Sequence, residues 1–180
     1  MVKKKLIIML LALICTVTLA VGGTVAYLVT LAGPVTNTFT YGDISLKLEE
    51  TTGSSYKLIP GSVIKKDPRI TVVSGSEDCY LFVKVVKGGS PDLYLNYAMA
   101  DGWLPLFGYD GVYYRTVEGI TEDAVFHVLN GDAMTVKDTL TKDQMKTITE
   151  KPRLSFTAYA VQSYGIDSAA AAYGAILAEE

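Results

Sequence analysis

The chain has 180 residues, a formal net charge of −3 and 49% hydrophobic residues. This length suits one domain with a sizeable core. The acidic balance argues against nucleic acid and against an anionic membrane as partners, because both carry negative charge themselves.

The first 26 residues have the three-part pattern of a secretory signal peptide. Three lysines at 3–5 form a cationic tip, an apolar run at 6–21 follows, and small residues come next. Signal peptidase needs small side chains at the last and third-last leader positions, which Ala26 and Thr24 supply. We therefore predict that signal peptidase cleaves after Ala26 during export, so that the mature, secreted chain begins at Tyr27.

Two alternatives to this cleavage stay open. Thr18 and Ala20 form a second, weaker pair of small residues for the peptidase. The apolar stretch 6–32 is also long enough to span a bilayer as an uncleaved anchor, since about 20 residues suffice. The glycine pair at 22–23 interrupts this stretch, and glycine holds a helix poorly, so cleavage is favoured.

The expected mature chain, 27–180, is more acidic than the whole. Three of the 16 basic residues leave with the leader, so 13 basic and 19 acidic residues give a charge of about −6. Cys79 is its only cysteine, and no internal disulfide can form. Because Cys79 begins an apolar stretch, we interpret it as a small buried side chain.

Many short strands separated by turns are predicted for this part of the chain. β-Branched and aromatic residues are enriched in six stretches. The expected strands are 35–49, 69–73, 79–87, 112–117, 124–129 and 154–162. Both faces of 79–87 are apolar, which places this strand in the centre of a sheet. Turns are expected at Pro60-Gly61 and Asn130-Gly131.

Two short helices complete the pattern. Thr141 and Gln144 have the spacing of a capping box, ahead of a helix expected to reach about Glu150. Asp167 or Ser168 is expected to cap a final helix with one apolar stripe. Many short strands and few helices indicate a mainly β, antiparallel β-sandwich with one helix at the C-terminus.

Catalytic patterns are weak in this sequence. Its one histidine, His127, cannot form an H-E-x-x-H zinc site, which needs two histidines one helical turn apart. No G-x-S-x-G motif is present for a catalytic serine. Cys79 and His127 could in principle pair as nucleophile and base, but an apolar strand raises the pKa of a thiol. We therefore predict no catalytic residue, no metal site, no cofactor and no enzymatic activity.

Two groups of residues keep both a functional and a structural interpretation. Paired acids at 49–50, 77–78 and 122–123 could bind calcium, although none has EF-hand spacing, or could lie in solvated turns. An aromatic-rich zone around Trp103 could stack sugars or contact a partner, or could be a core anchor with partly exposed tyrosines. Its other members are Tyr94, Tyr97, Phe107, Tyr109, Tyr113 and Tyr114.

Short motifs spread over nearly the whole chain resemble those of one family. The leader ending at 22–27, GGTVAY, resembles leaders processed by the SipW-type signal peptidase of Gram-positive bacteria. The further motifs are VTNTFT at 35–40, GDISL at 42–46, PG at 60–61, KDP at 66–68, DCYLFVKV at 78–85, Trp103, VYY at 112–114 and TAYAVQ at 157–162. In this order they are similar to the TasA/camelysin family.

The resemblance implies a jelly-roll-like sandwich and a secreted structural subunit of biofilm matrix fibres. Its partners would be further copies of itself, with other matrix proteins as additional candidates. In the fibre formers of the family, an N-terminal strand of one subunit completes the sheet of the next. Residues 27–34 would then be the donor arm ahead of a sandwich domain at 35–180, with Tyr27, Val29 and Leu31 entering the neighbour. Part of the family carries a metallopeptidase label, which a single histidine does not support.

A second functional interpretation stays open. The chain could be a monomeric surface-binding module, secreted or tethered to the membrane by an uncleaved leader. It would contact glycan or protein through the aromatic-rich zone and would have no catalytic activity. The two interpretations require different N-termini.

Overall fold

The computed structural model describes residues 44–53 and 55–178. They belong to the compact unit Thr36–Glu180, whereas the other unit, Met1–Val35, lies outside the described residues. Within the described residues the chain forms ten strands and two α-helices, and all strand pairs are antiparallel. The predicted mainly β sandwich with a C-terminal helix is confirmed.

The elements follow one another in this order. The strands are β1 (Leu46–Glu49), β2 (Val63–Lys65), β3 (Arg69–Val72), β4 (Cys79–Gly88), β5 (Leu95–Asn96), β6 (Leu104–Pro105), β7 (Val112–Val117), β8 (Ala124–His127), β9 (Ala133–Val136) and β10 (Arg153–Gln162). The helices are α1 (Lys142–Lys146) and α2 (Ala169–Leu177). No helix in the described part of the chain is long and apolar enough to span a bilayer.

The strands form three sheets. Sheet A has the order β10-β4-β7-β6, sheet B the order β1-β3-β8, and sheet C the order β2-β9-β5. In sheet A, Leu81 of β4 lies opposite Ala160 of β10 on one side and Arg115 of β7 on the other. The prediction that 79–87 is a central strand is therefore confirmed.

Sheets A and B pack face to face around the main core. Leu81 and Val83 of β4 meet Ile70 and Val72 of β3 in this core, and all four are fully buried. Alternate residues along each strand supply the inner face, as the period of two in a strand requires.

The opposite face of sheet A is covered by α2. Phe82 and Tyr159 face this side and pack against Tyr173 and Ile176 of the helix. The Ser168 side chain accepts a hydrogen bond from the backbone N–H of Ala171 and so caps the helix, as predicted. Because α2 covers one face and sheet B the other, β4 needs apolar residues on both of its faces.

Sheet C carries a third, smaller cluster. Ile64 of β2, Leu95 of β5 and Met134 and Val136 of β9 are buried together. Leu129, two residues after β8, belongs to the same cluster and connects it along the chain to sheet B.

Some predicted elements differ from the structure. Helix α1 has its capping box, with the Gln144 N–H donating to Thr141 Oγ1 at 3.3 Å, but it ends at Lys146 rather than near Glu150. Its C-cap Thr147 hydroxyl donates back to the Gln144 carbonyl, and two further β-branched residues follow, which favour an extended chain. Of the strand expected at 35–49, residues 35–43 lie outside the described residues.

Candidate assembly edge

The residues predicted for cleavage and assembly cannot be placed in this structure. Ala26, Tyr27, Val29 and Leu31 all lie outside the described residues, as do the leader 1–26 and the arm 27–34. Cleavage and strand donation therefore stay predictions. The described residues show instead which strand edges the sheets present.

Cys79 and His127 have separate surroundings. Cys79 is fully buried in the main core, and burial raises the pKa of its thiol to about 11. The Nδ1 atom of His127 lies 2.8 Å from Oδ1 of Asp132, and the imidazole is half exposed. The interpretation of Cys79 as a small core side chain is confirmed.

Each acidic pair has a carboxylate bonded within the fold. Asp78 Oδ1 accepts from the Gly119 N–H and Asp123 Oδ1 accepts from the Ser74 N–H, both at 2.8 Å. Glu50 forms an ion pair with Lys66. In the part of the chain that is described, no three acidic, histidine or cysteine side chains are grouped as metal ligands. One carboxylate of each pair thus links its turn or loop to another segment of the fold.

The aromatic-rich zone does not form one surface. Trp103 is buried in the main core, and its Nε1–H donates to the His127 carbonyl at 2.8 Å. The other members separate into different places: Tyr113 beside the main core, Tyr109 and Tyr114 beside α2, Tyr94 and Tyr97 beside sheet C, and Phe107 at 98% exposure. The core-anchor interpretation holds for Trp103.

The two edges of sheet A are unequal. The edge strand β6 has two residues, and one is Pro105, which has no N–H to donate to a further strand. The edge strand β10 has ten residues. Short strands and proline protect an edge from further pairing. The edge strand β6 has both features, whereas β10 is long and contains no proline.

The register shows which groups of β10 face outward. The Val85 N–H donates to the Gly111 carbonyl at 2.8 Å, so odd-numbered residues of β4 bond toward β7 and even-numbered ones toward β10. Phe156 lies opposite Val85, and it therefore directs its N–H and C=O away from β4, as Leu154 does. Among the described residues, no strand pairs with this outer side of β10.

Exposure limits the accessible part of this edge. Residues 153–157 are exposed or half-buried, whereas Ala158 and Ala160 have no exposed surface. Five residues in a strand span about 17 Å. We call residues 153–157 of β10 the open edge.

An ion pair between a buried lysine and a more exposed glutamate borders the open edge. Lys66 is 6% exposed, and its Nζ lies 2.7 Å from Oε1 and 2.8 Å from Oε2 of Glu50. The same Nζ lies 5.4 Å from the ring centroid of Phe156 and 5.8 Å from that of Tyr56. The polar run KKDP at 65–68 gives no signal in the sequence that Lys66 is buried.

Asp67, next to Lys66, holds the loop after β1 through hydrogen bonds. Its carboxylate accepts from the backbone N–H of Thr51 at 2.9 Å and of Thr52 at 3.0 Å, and also from both hydroxyl groups. These bonds, chiefly that of the Thr51 side chain, hold the pKa of the Asp67 carboxyl well below its usual range. Lys66 and Asp67 together fix the loop that follows β1 beside Phe156.

Comparison of the chain with protein-family models, with curated proteins and with solved structures finds no match. The resemblance to the TasA/camelysin family therefore stays a prediction from the sequence motifs.

Proposed function

We propose that this protein is a secreted structural subunit that assembles head-to-tail into extracellular fibres of a biofilm matrix. The observation that carries the proposal is the difference between the two edges of sheet A. One edge is the short β6 with Pro105, whereas no strand of the described residues pairs with the outer side of β10 along 153–157. An unprotected strand edge accepts an added strand through its main-chain groups.

The dimensions of donor and acceptor agree. The arm 27–32 has six residues, and extended it spans about 20 Å, against about 17 Å for the open edge. Its main chain would bond the outward groups of Leu154 and Phe156. Tyr27, Val29 and Leu31 would lie on one face of the added strand. Because donation from one copy to the next does not close on itself, a filament results.

The surroundings of the open edge suit an apolar arm. Phe156 is half-buried and offers an aromatic surface, and the Lys66 cation beside it is neutralised by Glu50. An apolar strand entering here would thus not desolvate an unpaired charge, which is the costly case.

Deletion of residues 27–32 tests the arm. The truncated chain is expected to fold but not to elongate, and the pair Val29→Lys and Leu31→Lys is expected to have the same effect, because charge would enter an apolar contact. Electron microscopy and light scattering at equal concentration measure the outcome. Fibres of equal yield from the truncated chain would remove the arm from the mechanism.

A matched pair of variants tests the acceptor. Leu154→Ala and Leu154→Pro both remove the side chain, but only proline also removes the outward N–H. The N–H of Leu154 does not bond β4, so both variants are expected to fold. Elongation by the alanine variant and its loss in the proline variant support the open edge, and equal elongation contradicts it.

One observation favours the monomeric binding module. An open cleft of about 910 Å³ lies at the end of β4 and the start of β10, where Val86, Lys87, Asp92, Leu93 and Arg153 are among its lining residues. This volume is in the range of small-ligand sites. Monomers from both the complete and the truncated chain, in every salt and pH condition, would favour this module over the fibre.

A further inference from the structure

Arg115 points into the sandwich from β7. Its guanidinium carbon lies 5.4 Å from the ring centroid of Trp103 and 4.3 Å from that of Phe126, which belongs to β8 in the opposite sheet. Trp103 is itself fixed, because its Nε1–H bonds the His127 carbonyl. The guanidinium thus lies close to two aromatic rings, on the side of the sandwich where β6 is the edge strand of sheet A and β8 is the edge strand of sheet B.

This cation has no anionic partner among the described residues. Lys66, Arg69, Lys87, Lys146 and Arg153 each form an ion pair with a carboxylate, whereas the remaining described lysines, like Arg115, form none. Arg115 is half-buried, yet it makes no hydrogen bond and no ion pair with the described residues. Its partial burial removes some water from around the charge and so lowers the pKa of the guanidinium. Cation–π contact with the two rings offsets part of the free-energy cost of removing this charge from water. It provides no hydrogen-bond acceptor for the five N–H groups of the guanidinium.

The backbone leaves room for the guanidinium. Gly102 has φ +87°, a conformation that residues with a side chain rarely adopt. A Cβ at this position would lie 2.6 Å from Nη2 of Arg115. Glycine is therefore needed both for the turn before Trp103 and for the position of the arginine.

We propose that Arg115 is a binding site for a singly charged carboxylate. The guanidinium presents N–H groups in a planar fork that matches the two oxygens of a carboxylate, and the rings of Trp103 and Phe126 lie within cation–π distance of it. A free organic acid and the uronate residue of a saccharide share this chemistry.

Charge selects a carboxylate over phosphate or sulfate. One guanidinium neutralises one negative charge, and the expected mature chain is itself acidic, at about −6. A doubly charged anion would keep an excess charge in the field of an acidic protein, which is unfavourable. The site lies on β7, away from the open edge on β10, so it does not depend on fibre assembly.

The single tryptophan of the chain provides the measurement. Trp103 fluorescence is titrated with sodium acetate and sodium glucuronate at constant ionic strength, and with chloride, phosphate and sulfate for comparison. Both carboxylates are expected to give a saturable change. Tighter binding of glucuronate than of acetate would identify a saccharide as the source, whereas equal affinity would identify a free acid. The absence of a saturable carboxylate response, or an equal response to phosphate and sulfate, would overturn the proposal.

Three variants test the role of Arg115. Arg115→Gln is expected to abolish the response, and Arg115→Lys, which keeps the charge but loses the fork, is expected to weaken the affinity by about tenfold or more. Lys146→Gln removes an exposed cation on α1, outside both the open edge and the cleft, and is expected to leave the response unchanged. If Arg115→Gln does not fold, Gly102→Ala provides the second test, because its Cβ displaces the guanidinium. Unchanged carboxylate affinity in the folded Arg115→Lys or Gly102→Ala variants would contradict the proposal.

Discussion

Lys66 and Glu50 lie 16 positions apart in the sequence and form an ion pair beside β10, in which the Lys66 ammonium contacts both carboxylate oxygens of Glu50. The Tyr56 hydroxyl also donates to Glu50 Oε1, at 3.1 Å, so the carboxylate is bonded on more than one side. A buried charge is tolerated when its partner and further hydrogen bonds replace water. This pair fastens the loop after β1 to the connection between β2 and β3.

Glu50→Gln is expected to destabilise the fold strongly, because Lys66 would stay buried without a carboxylate. We expect a loss of about 2–4 kcal/mol in the free energy of unfolding. Urea unfolding followed by circular dichroism measures it. Asp143→Asn, which removes a 90% exposed carboxylate, is the control and should cause no measurable change. If Glu50→Gln is as stable as the original chain, the pair does not stabilise the fold.

Combining Lys66→Met with Glu50→Gln should recover much of the stability lost in Glu50→Gln alone. The double variant removes the unpaired cation and keeps the length of the side chain against Phe156 and Tyr56. Additive losses in the double variant would show that the two charges do not interact in solution.

Asp67 should make stability depend on acid pH. Its pKa in the folded chain is lowered, so its contribution is complete above its unfolded pKa of about 4 and is lost as pH falls further. Urea unfolding between pH 7 and pH 3 should show this decline. The Asp67→Asn variant should be less stable at pH 7 and have a flatter profile below pH 5. Parallel profiles for the two chains would rule out Asp67 as the titrating group.

Tyr173 should be the most important contact of α2. It is 2% exposed and its ring centroid lies 5.2 Å from that of Phe82 and 5.0 Å from that of Tyr109. Replacement by alanine leaves a cavity between α2 and sheet A and is expected to cost about 3–5 kcal/mol. Tyr164→Ala, at a tyrosine that is 86% exposed, is the control and should change stability by less than about 0.5 kcal/mol. Similar melting temperatures for both variants would show that α2 is not firmly packed.

Cys79 should be unreactive in the folded protein. It has no exposed surface, and its pKa is raised to about 11 by burial, so little thiolate is present at pH 8. In a chain with Cys15→Ser, a colorimetric thiol reagent at pH 8 should react slowly without urea and rapidly in 8 M urea. Fast reaction in the folded chain would indicate that the start of β4 opens readily.

Local patterns in the sequence predicted the longer elements well. The stretch 79–87 is apolar on both faces and is a central strand, and the expected 112–117 is β7 at Val112–Val117. Thr141 and Ser168 are the N-caps of the two helices, as their side chains suggested. These features depend on contacts between residues two to four positions apart, which the sequence displays directly.

Very short elements were not predicted, because they are too short for a local pattern to appear in the sequence. Strands β2, β5 and β6 have two or three residues, too few to display a period of two, and the four-residue β9 was not predicted either. They form because distant strands offer them main-chain partners. Helix α1 was predicted too long because propensity alone does not show where tertiary contacts stop supporting a short helix.

The sequence by itself determined the mainly β class, the central strand, the helix caps and the buried state of Cys79. The tertiary structure decided which edge of sheet A is open, that Lys66 is buried against Glu50, and that Arg115 lies between Trp103 and Phe126. Each of these depends on residues brought together from distant parts of the chain. An edge strand and a central strand can have the same residue pattern, so the sequence does not show on how many sides a strand pairs. The sequence also does not show which distant residue is the partner of a buried lysine or arginine.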